Sequence, residues 1–339
     1  MSGALLARSA CVLLAGFAVG HASPAAAQDG SAHVVIISAL SGEERFAKTF
    51  TEWGSALATA AVERHGVPAA NVIWLAERKE ADPRIRDRST KEAVQRELSQ
   101  LAQRAGPTDR ILIVVFGHGS TDGGESRISL PGPDLSATEL TQLLAQLGGR
   151  RVAVVNTTSA SGGFVQKLAA PNRIVITATK SGFERNETIF GGHFVAALTG
   201  DAADADKDNR ISLFEAYDYA RREVERAYER ENKLLTEHAV LDGVGDGKGV
   251  GAAEPATPHA RSAQSFHLGG GAVAAAASAR TPELRAAYQE KARLEAALDA
   301  LRARKETMPE QAYETELEKL LVELSRTAQQ IRRLEGGSR

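Results

Sequence analysis

The chain has a single cysteine, Cys11, and it falls in an N-terminal stretch that reads as a targeting segment. No cysteine follows residue 27, so the folded part has neither a disulfide nor a thiol nucleophile. The histidines are scattered, and no His/Cys set with zinc spacing can be written. A block of one charge is also missing. Lys+Arg 41 against Asp+Glu 43 gives a formal net charge of −2, which offers no basic footprint for a phosphate backbone and argues against nucleic acid as a partner. No apolar run approaches the roughly 20 residues needed to cross a bilayer, so no membrane span is expected. The run from Cys11 to Gly20 is short, with Arg8 ahead of it and Ala25-Ala26-Ala27 behind, which is the layout of a signal peptide over residues 1–27. Arg8-Ser9-Ala10 is a poor context for lipid attachment at Cys11. An exported protein, periplasmic or extracellular, is the expectation.

What remains is 43% hydrophobic and 25% charged, a composition that can fill one globular core. From His33 onward, apolar runs of strand length alternate with stretches of helical period. That alternation predicts an α/β class, a mainly parallel sheet with helices on both faces. Candidate strands are Val34–Ile37, Val72–Leu75, Ile111–Phe116, Val152–Val155 and Ile174–Ala178. Candidate helices are Glu43–Arg64, a segment capped near Ser89, one starting at Asp134 or Ser136, one near Phe190–Leu198 and a long one from Leu213 to Lys233. Residues 243–279 are dominated by Gly, Ala, Pro and Ser and read as a flexible linker between a domain spanning 31–242 and the C-terminal part. Over 280–336, Leu284, Leu294, Leu298 and Leu301, then Leu317, Leu320, Leu324, Ile331 and Leu334, form a heptad-like stripe broken near Pro309. The stripe predicts an antiparallel helical hairpin or coiled coil, or a segment through which the chain forms a homo-oligomer.

In a parallel sheet, ligands collect outside the carboxyl ends of the strands, and two Gly-rich polar turns lie at such ends. One is Gly117-His118-Gly119-Ser120, and the other is Asn156 to Gly163, carrying Ser159 and Ser161. His118 supplies a general base, and the N–H groups of Gly119 and Ser159 are placed to hold an oxyanion. Each turn alone is an ordinary strand-to-loop connection.

Together, a strand ending in Gly117-His118-Gly119 and one ending in Ser159-Ala160-Ser161-Gly162-Gly163 resemble the histidine and nucleophile signatures of the caspase-like fold, nearest to the legumain-type (C13) peptidases. The resemblance extends over about 31–247, through Leu130–Leu135, Thr177–Gly182 and Thr236-Glu237-His238, and does not include the C-terminal helices. It implies a caspase-like three-layer sandwich, with a peptide or protein ligand in the strand-end crevice. The family pattern has cysteine where this chain has Ser159. A thiol is intrinsically nucleophilic, whereas a serine hydroxyl needs an aligned base and a third group to orient it, and no third group is evident in the sequence. Asp122 and Glu125 near His118 read as solvated loop residues. A non-catalytic binding or scaffold protein is therefore expected, the alternative being a Ser159/His118 endopeptidase or esterase.

One further motif stands apart. Asp204 to Glu215 fits the twelve-residue EF-hand loop, with Asp204, Asp206, Asp208 and Glu215 at positions 1, 3, 5 and 12, and Arg210 offering its carbonyl at position 7. Asn209 replaces the usual glycine, Ile211 is expected to face the core, and Ca2+ is the expected cofactor. Asp242 to Gly247 reads as a turn.

Overall fold

A computed structural model of the chain describes residues 30–269 except 208 and 209, together with 276, 279, 281–305 and 308–336. The expected signal peptide, with Cys11, lies outside the described residues, as do Asp208 and Asn209 of the acidic loop.

A seven-stranded sheet forms the middle layer. Its strands are β1 (Ala32–Ser38), β2 (Val72–Ala76), β3 (Ile85–Arg88), β4 (Arg110–Phe116), β8 (Arg151–Asn156), β9 (Arg173–Thr177) and β10 (Val240–Asp242). They run in the order β10-β9-β8-β4-β1-β2-β3, and all pairings are parallel except that of β10 with β9. Strand residues point alternately to the two faces. Val34, Ile36, Leu112, Val114 and Phe116 therefore enter one core, while Val35, Ile37, Ile111, Ile113 and Val115 enter the other. Both faces are covered, which is why β4 reads as an unbroken apolar run.

The first face carries α1 (Glu44–Glu63), α5 (Phe190–Thr199) and α6 (Leu213–Arg230), contributing Phe46, Phe50, Leu57, Phe194, Phe214 and Tyr217. The second carries α2 (Lys91–Arg104), α3 (Ala137–Ala145) and α4 (Phe164–Leu168), contributing Leu98, Leu101, Leu140, Leu144 and Phe164. The result is the expected three-layer α/β sandwich. Local signals set the helix starts. Ser136 and Ser212 each form a capping box with the glutamate three residues on, Glu139 and Glu215, and Thr90 rather than Ser89 caps α2.

A small antiparallel sheet, β5 (Gly119–Asp122), β6 (Glu125–Ile128) and β7 (Leu135–Ser136), rises from the end of β4. Its polar sequence gives no hydrophobic pattern by which to expect it.

The expected flexible linker is corrected over most of its length. Residues 243–269 pack on the domain: α7 (Pro258–Gln264) buries Ala260 and Ala263 in the first core, and Phe266 and Leu268 join them. Leu241 pairs with Val250, and Ser212 with His267. The Tyr217 hydroxyl lies against the carbonyls of Ala239, Val250 and Gly251. A Gly- and Ala-rich composition lowered the apparent hydrophobicity, but four well-spaced apolar side chains were enough to dock the segment.

The C-terminal helices α8 (Pro282–Ala303) and α9 (Glu310–Gly336) pack on each other as a hairpin. Leu294, Leu298, Leu301 and Leu320 form its small core, with Leu317, Leu324, Met308 and Tyr313 against it.

Candidate functional site

The chain adds β2 and β3 on one side of β1, then crosses to add β4, β8 and β9 on the other. That reversal puts the switch point of the sheet, where a strand-end crevice is expected, at the carboxyl ends of β1 and β4. Residues after β1, β4, β8 and β9 converge there.

His118 follows β4 and is half-buried. Its ring stands edge-on to Phe46, with centroids 4.6 Å apart, and against Phe50 at 5.6 Å, so α1 fixes its plane. Its Nε2 lies 3.1 Å from the carbonyl oxygen of Ser41, after β1. A carbonyl can only accept, so Nε2 carries the proton, and Nδ1 is the ring atom left to act as base. Ser41 is buried and is itself held by Glu77 after β2, whose Oε2 accepts from the Ser41 N–H at 3.1 Å and from its hydroxyl. The orienting group that the sequence pattern does not reveal is thus a backbone carbonyl, steadied by a carboxylate. Neither Ser41 nor Glu77 was expected from the sequence. Their positions just past β1 and β2 were the one available signal.

Asp122 and Glu125 take no part. Asp122 is exposed, and Glu125 accepts from the N–H and hydroxyl of Thr138 at 2.8 and 3.1 Å.

Ser159 follows β8 and is 5% exposed. Its hydroxyl donates to the Gly119 carbonyl at 3.1 Å and accepts from the Gly119 N–H at 3.1 Å. The structure brings Ser159 and Gly119 together but, among the described residues, forms no hydrogen bond between Ser159 and His118. The Gly119 N–H, expected to serve an oxyanion, points at the serine hydroxyl. Ala160 follows with φ 56°, in the left-handed region that alanine seldom enters, and this sharp turn redirects the chain after Ser159. The Asn156 side chain accepts from the Thr158 N–H and hydroxyl at 3.1 and 2.8 Å, tightening the same turn. Thr179, beyond β9, clips it from the other side through Ser161 Oγ at 3.1 Å and the Gly162 N–H at 2.9 Å.

The loop of residues 180–188 closes over this turn. The Ala160 N–H donates to the Glu184 carbonyl at 2.7 Å, Arg185 Nη2 to the Thr121 carbonyl at 3.2 Å, and the Thr188 hydroxyl to the Thr157 carbonyl. Glu184 binds His238 Nδ1 at 2.6 Å, tying the loop to the segment before β10. Glu237 sits beneath, 3% exposed, accepting from the N–H groups of Ile189 and Phe190 at 2.9 Å each at the start of α5. Burial, with Glu184 and Glu187 nearby, pushes its carboxyl up to about 7, against the pull of those two N–H groups. In the sequence Glu237 is only one member of the Thr236-Glu237-His238 motif, and its function as a buried clasp is visible only in three dimensions.

In the acidic loop, carboxylate oxygens of Asp204, Asp206 and Glu215 lie within 4.8 Å of one another. Glu215 is also engaged by the N–H groups of Ala205 and Ser212 at 2.9 and 2.8 Å. Ile211 is 2% exposed, facing the core as expected, and Arg210 is buried. Among the described residues of the loop, Lys207 is left-handed, φ 60°. Three of the predicted ligands are therefore gathered in space. Asp242 forms the expected turn, its carboxylate accepting from the N–H groups of Val244, Gly245, Asp246 and Gly247.

Together these features define a three-layer α/β sandwich with a histidine and a serine at the neighbouring ends of β4 and β8. Residues 90–240 match the model of the Peptidase C13 family, and the resemblance seen in the two turns is borne out over that stretch. No curated protein matches the chain. Among solved structures, protein GSU0716 from Geobacter sulfurreducens is similar at 14% identity and a TM-score of 0.41, over 67% of this chain and 96% of that one. The crystal structure of drICE is similar at 8% identity and a TM-score of 0.38, over 64% of this chain and 89% of that one. Raptor from Chaetomium thermophilum gives 13% and 0.34, over 51% of this chain and 18% of that one. Likenesses at this level say nothing about what the chain does. Among the described residues, no helix is long and apolar enough to cross a membrane.

Proposed function

We propose that this is an exported C13-like protein in which Ser159 stands at the nucleophile position without performing nucleophilic catalysis, and that the domain binds a peptide or protein segment. The observation that carries this reading is the two-way exchange between the Ser159 hydroxyl and the Gly119 backbone. A serine hydroxyl both donates and accepts well, so it occupies the N–H that an oxyanion would need, and its own proton is directed at a carbonyl rather than at a base. A thiol, a weak donor and acceptor, would leave that N–H open.

Binding is supported by β5, an edge strand beside the crevice. Gly119 turns its N–H and carbonyl toward the Ser159 turn, and Thr121 turns its carbonyl toward Arg185. An extended segment adding to this edge would replace those contacts with main-chain pairing. Phe183, 82% exposed in the covering loop, offers an apolar contact at the rim.

The reading includes a calcium ion held by Asp204, Asp206 and Glu215, anchoring the start of α6. Carboxylate oxygens suit a hard cation, and the sequence spacing is that of a calcium loop.

The test is a diverse peptide library exposed to the wild-type chain, Ser159→Ala and Ser159→Cys. The expected result is no cleavage by wild type or by Ser159→Ala. Cleavage by Ser159→Cys alone would show that the site is still built and that the serine silences it. Cleavage by wild type that is lost in Ser159→Ala would establish a hydrolase in which His118 Nδ1 takes the serine proton, and would overturn the proposal.

A further inference from the structure

Part of the heptad-like stripe of the C-terminal helices is used inside the hairpin, where Leu317, Leu320 and Leu324 pack toward Leu294, Leu298 and Leu301. A second, shorter apolar strip remains on the outer face of α9. Leu321 and Val322 are 48% and 42% exposed there and lie in a shallow hollow bordered by Glu314, Leu317, Glu318 and Ser325. Adjacent large apolar side chains in the middle of an otherwise charged helix face are unusual unless covered.

The charges on α9 say what covers them. Ahead of the strip lie Glu310, Glu314, Glu316 and Glu318 with no basic residue among them; beyond it lie Arg326, Arg332 and Arg333, followed by the single Glu335 at the helix end. The helix is thus net acidic in its first half and net basic in its second, with the apolar strip between. Lys319 and Glu323 flank the strip in the opposite sense. A second copy laid parallel would set acid on acid and base on base. A second copy laid antiparallel about Leu321 and Val322 would set each half on its opposite, and Lys319 on Glu323 as well.

The spacing agrees. At a rise of 1.5 Å per residue, Glu310 and Arg333 each lie about 17 Å from the centre of the strip, Glu318 about 5 Å on one side and Arg326 about 7 Å on the other. Glu314 and Arg332 fall within about 5 Å of a match, which their side chains span. Ser325 and Ala328, both small, allow the two helices to approach closely beside the strip.

We infer that α9 is a self-association surface, through which two copies of this chain pair antiparallel by the outer face of the hairpin. The partner is another copy rather than a different protein because one helix carries both halves of the charge pattern, as a two-fold interface requires. Such pairing would place two strand-end crevices in one particle and so make binding of a repeated or long ligand bivalent.

The experiment is sedimentation equilibrium on the full chain, with circular dichroism to confirm that each variant keeps its helix content. Wild type is expected to dimerise reversibly. Leu321→Glu with Val322→Glu is expected to weaken association at least about tenfold, as like charges meet at the two-fold axis. Glu314→Arg with Glu318→Arg makes the first half of the helix basic like the second, and Arg326→Glu with Arg332→Glu makes the second half acidic like the first. Each pair alone is expected to weaken self-association, and mixing the two is expected to restore a dimer. Wild type that stays monomeric up to about 100 µM would overturn the proposal, since weak specific complexes assemble below that. So would a dimer unaffected by the Leu321/Val322 change, or one unaffected by either charge variant alone.

Discussion

Glu237 offers a quantitative test of how the crevice is held together. Its carboxyl is buried under the loop that covers Ser159, and burial raises it from 4.5 to about 7. Between those values the folded protein keeps a proton that the unfolded chain has released. The group's contribution to stability is therefore fully present below about pH 4.5 and is lost as pH rises through about 7. At about 1.4 kcal/mol per unit, the difference amounts to on the order of 3 kcal/mol. Glu237→Gln keeps the size of the side chain but cannot ionise, so it removes this dependence and adds a constant cost from the altered bonds to Ile189 and Phe190. Urea unfolding of both proteins at pH 4.5, 6 and 8 isolates the effect, because every other titrating group cancels in the difference. Wild type should lose about 3 kcal/mol relative to the variant between the lowest and the highest pH. A difference that stays flat across that range would mean that the carboxyl titrates alike in the folded and unfolded chain, against the burial argued for it.

Three further outcomes are expected. Ala160→Gly should stabilise the fold by up to about 1 kcal/mol in chemical unfolding, because glycine relieves the left-handed strain at φ 56°; a loss of that size would mean the turn is held by something other than backbone preference. Gly162→Ala should cost about 2–4 kcal/mol, because a methyl group there would overlap the backbone of Lys180 and Ser181. Calcium at about 100 times its dissociation constant should stabilise the chain by about 2.7 kcal/mol, read as a rise in Tm that Asp206→Asn reduces; no shift at about 10 mM calcium would remove the ion from the account.

The layers of the sandwich were legible because burial on both faces leaves a plain mark: Ile111 to Phe116 has no polar interruption, and α1 shows Phe46, Phe50 and Leu57 on one face. β3 was not legible, because Ile85-Arg86-Asp87-Arg88 is an edge strand in which only Ile85 is buried. The β5–β6 hairpin was hidden in the same way, as its pairing is made by backbone rather than by apolar side chains. At the site, His118, Gly119 and Ser159 stood out by their positions after apolar runs, and the structure sets all three at the ends of the paired strands β4 and β8. The groups that orient them did not stand out. Ser41 acts through its carbonyl, Glu77 through a residue 36 positions away, and Glu237 through two N–H groups that only the packed α5 presents. Such contacts leave no local pattern, because they depend on which strand ends meet and not on the residues around each group.

The central claim is that the Ser159 hydroxyl is committed to Gly119 and is not an activated nucleophile. Treating the folded wild-type chain with a fluorophosphonate, which phosphonylates activated serines, and measuring the intact mass tests it most directly. An unchanged mass is the expected result. A stoichiometric adduct located on Ser159 and absent from His118→Ala would contradict it, and would identify the pair as a working catalytic dyad.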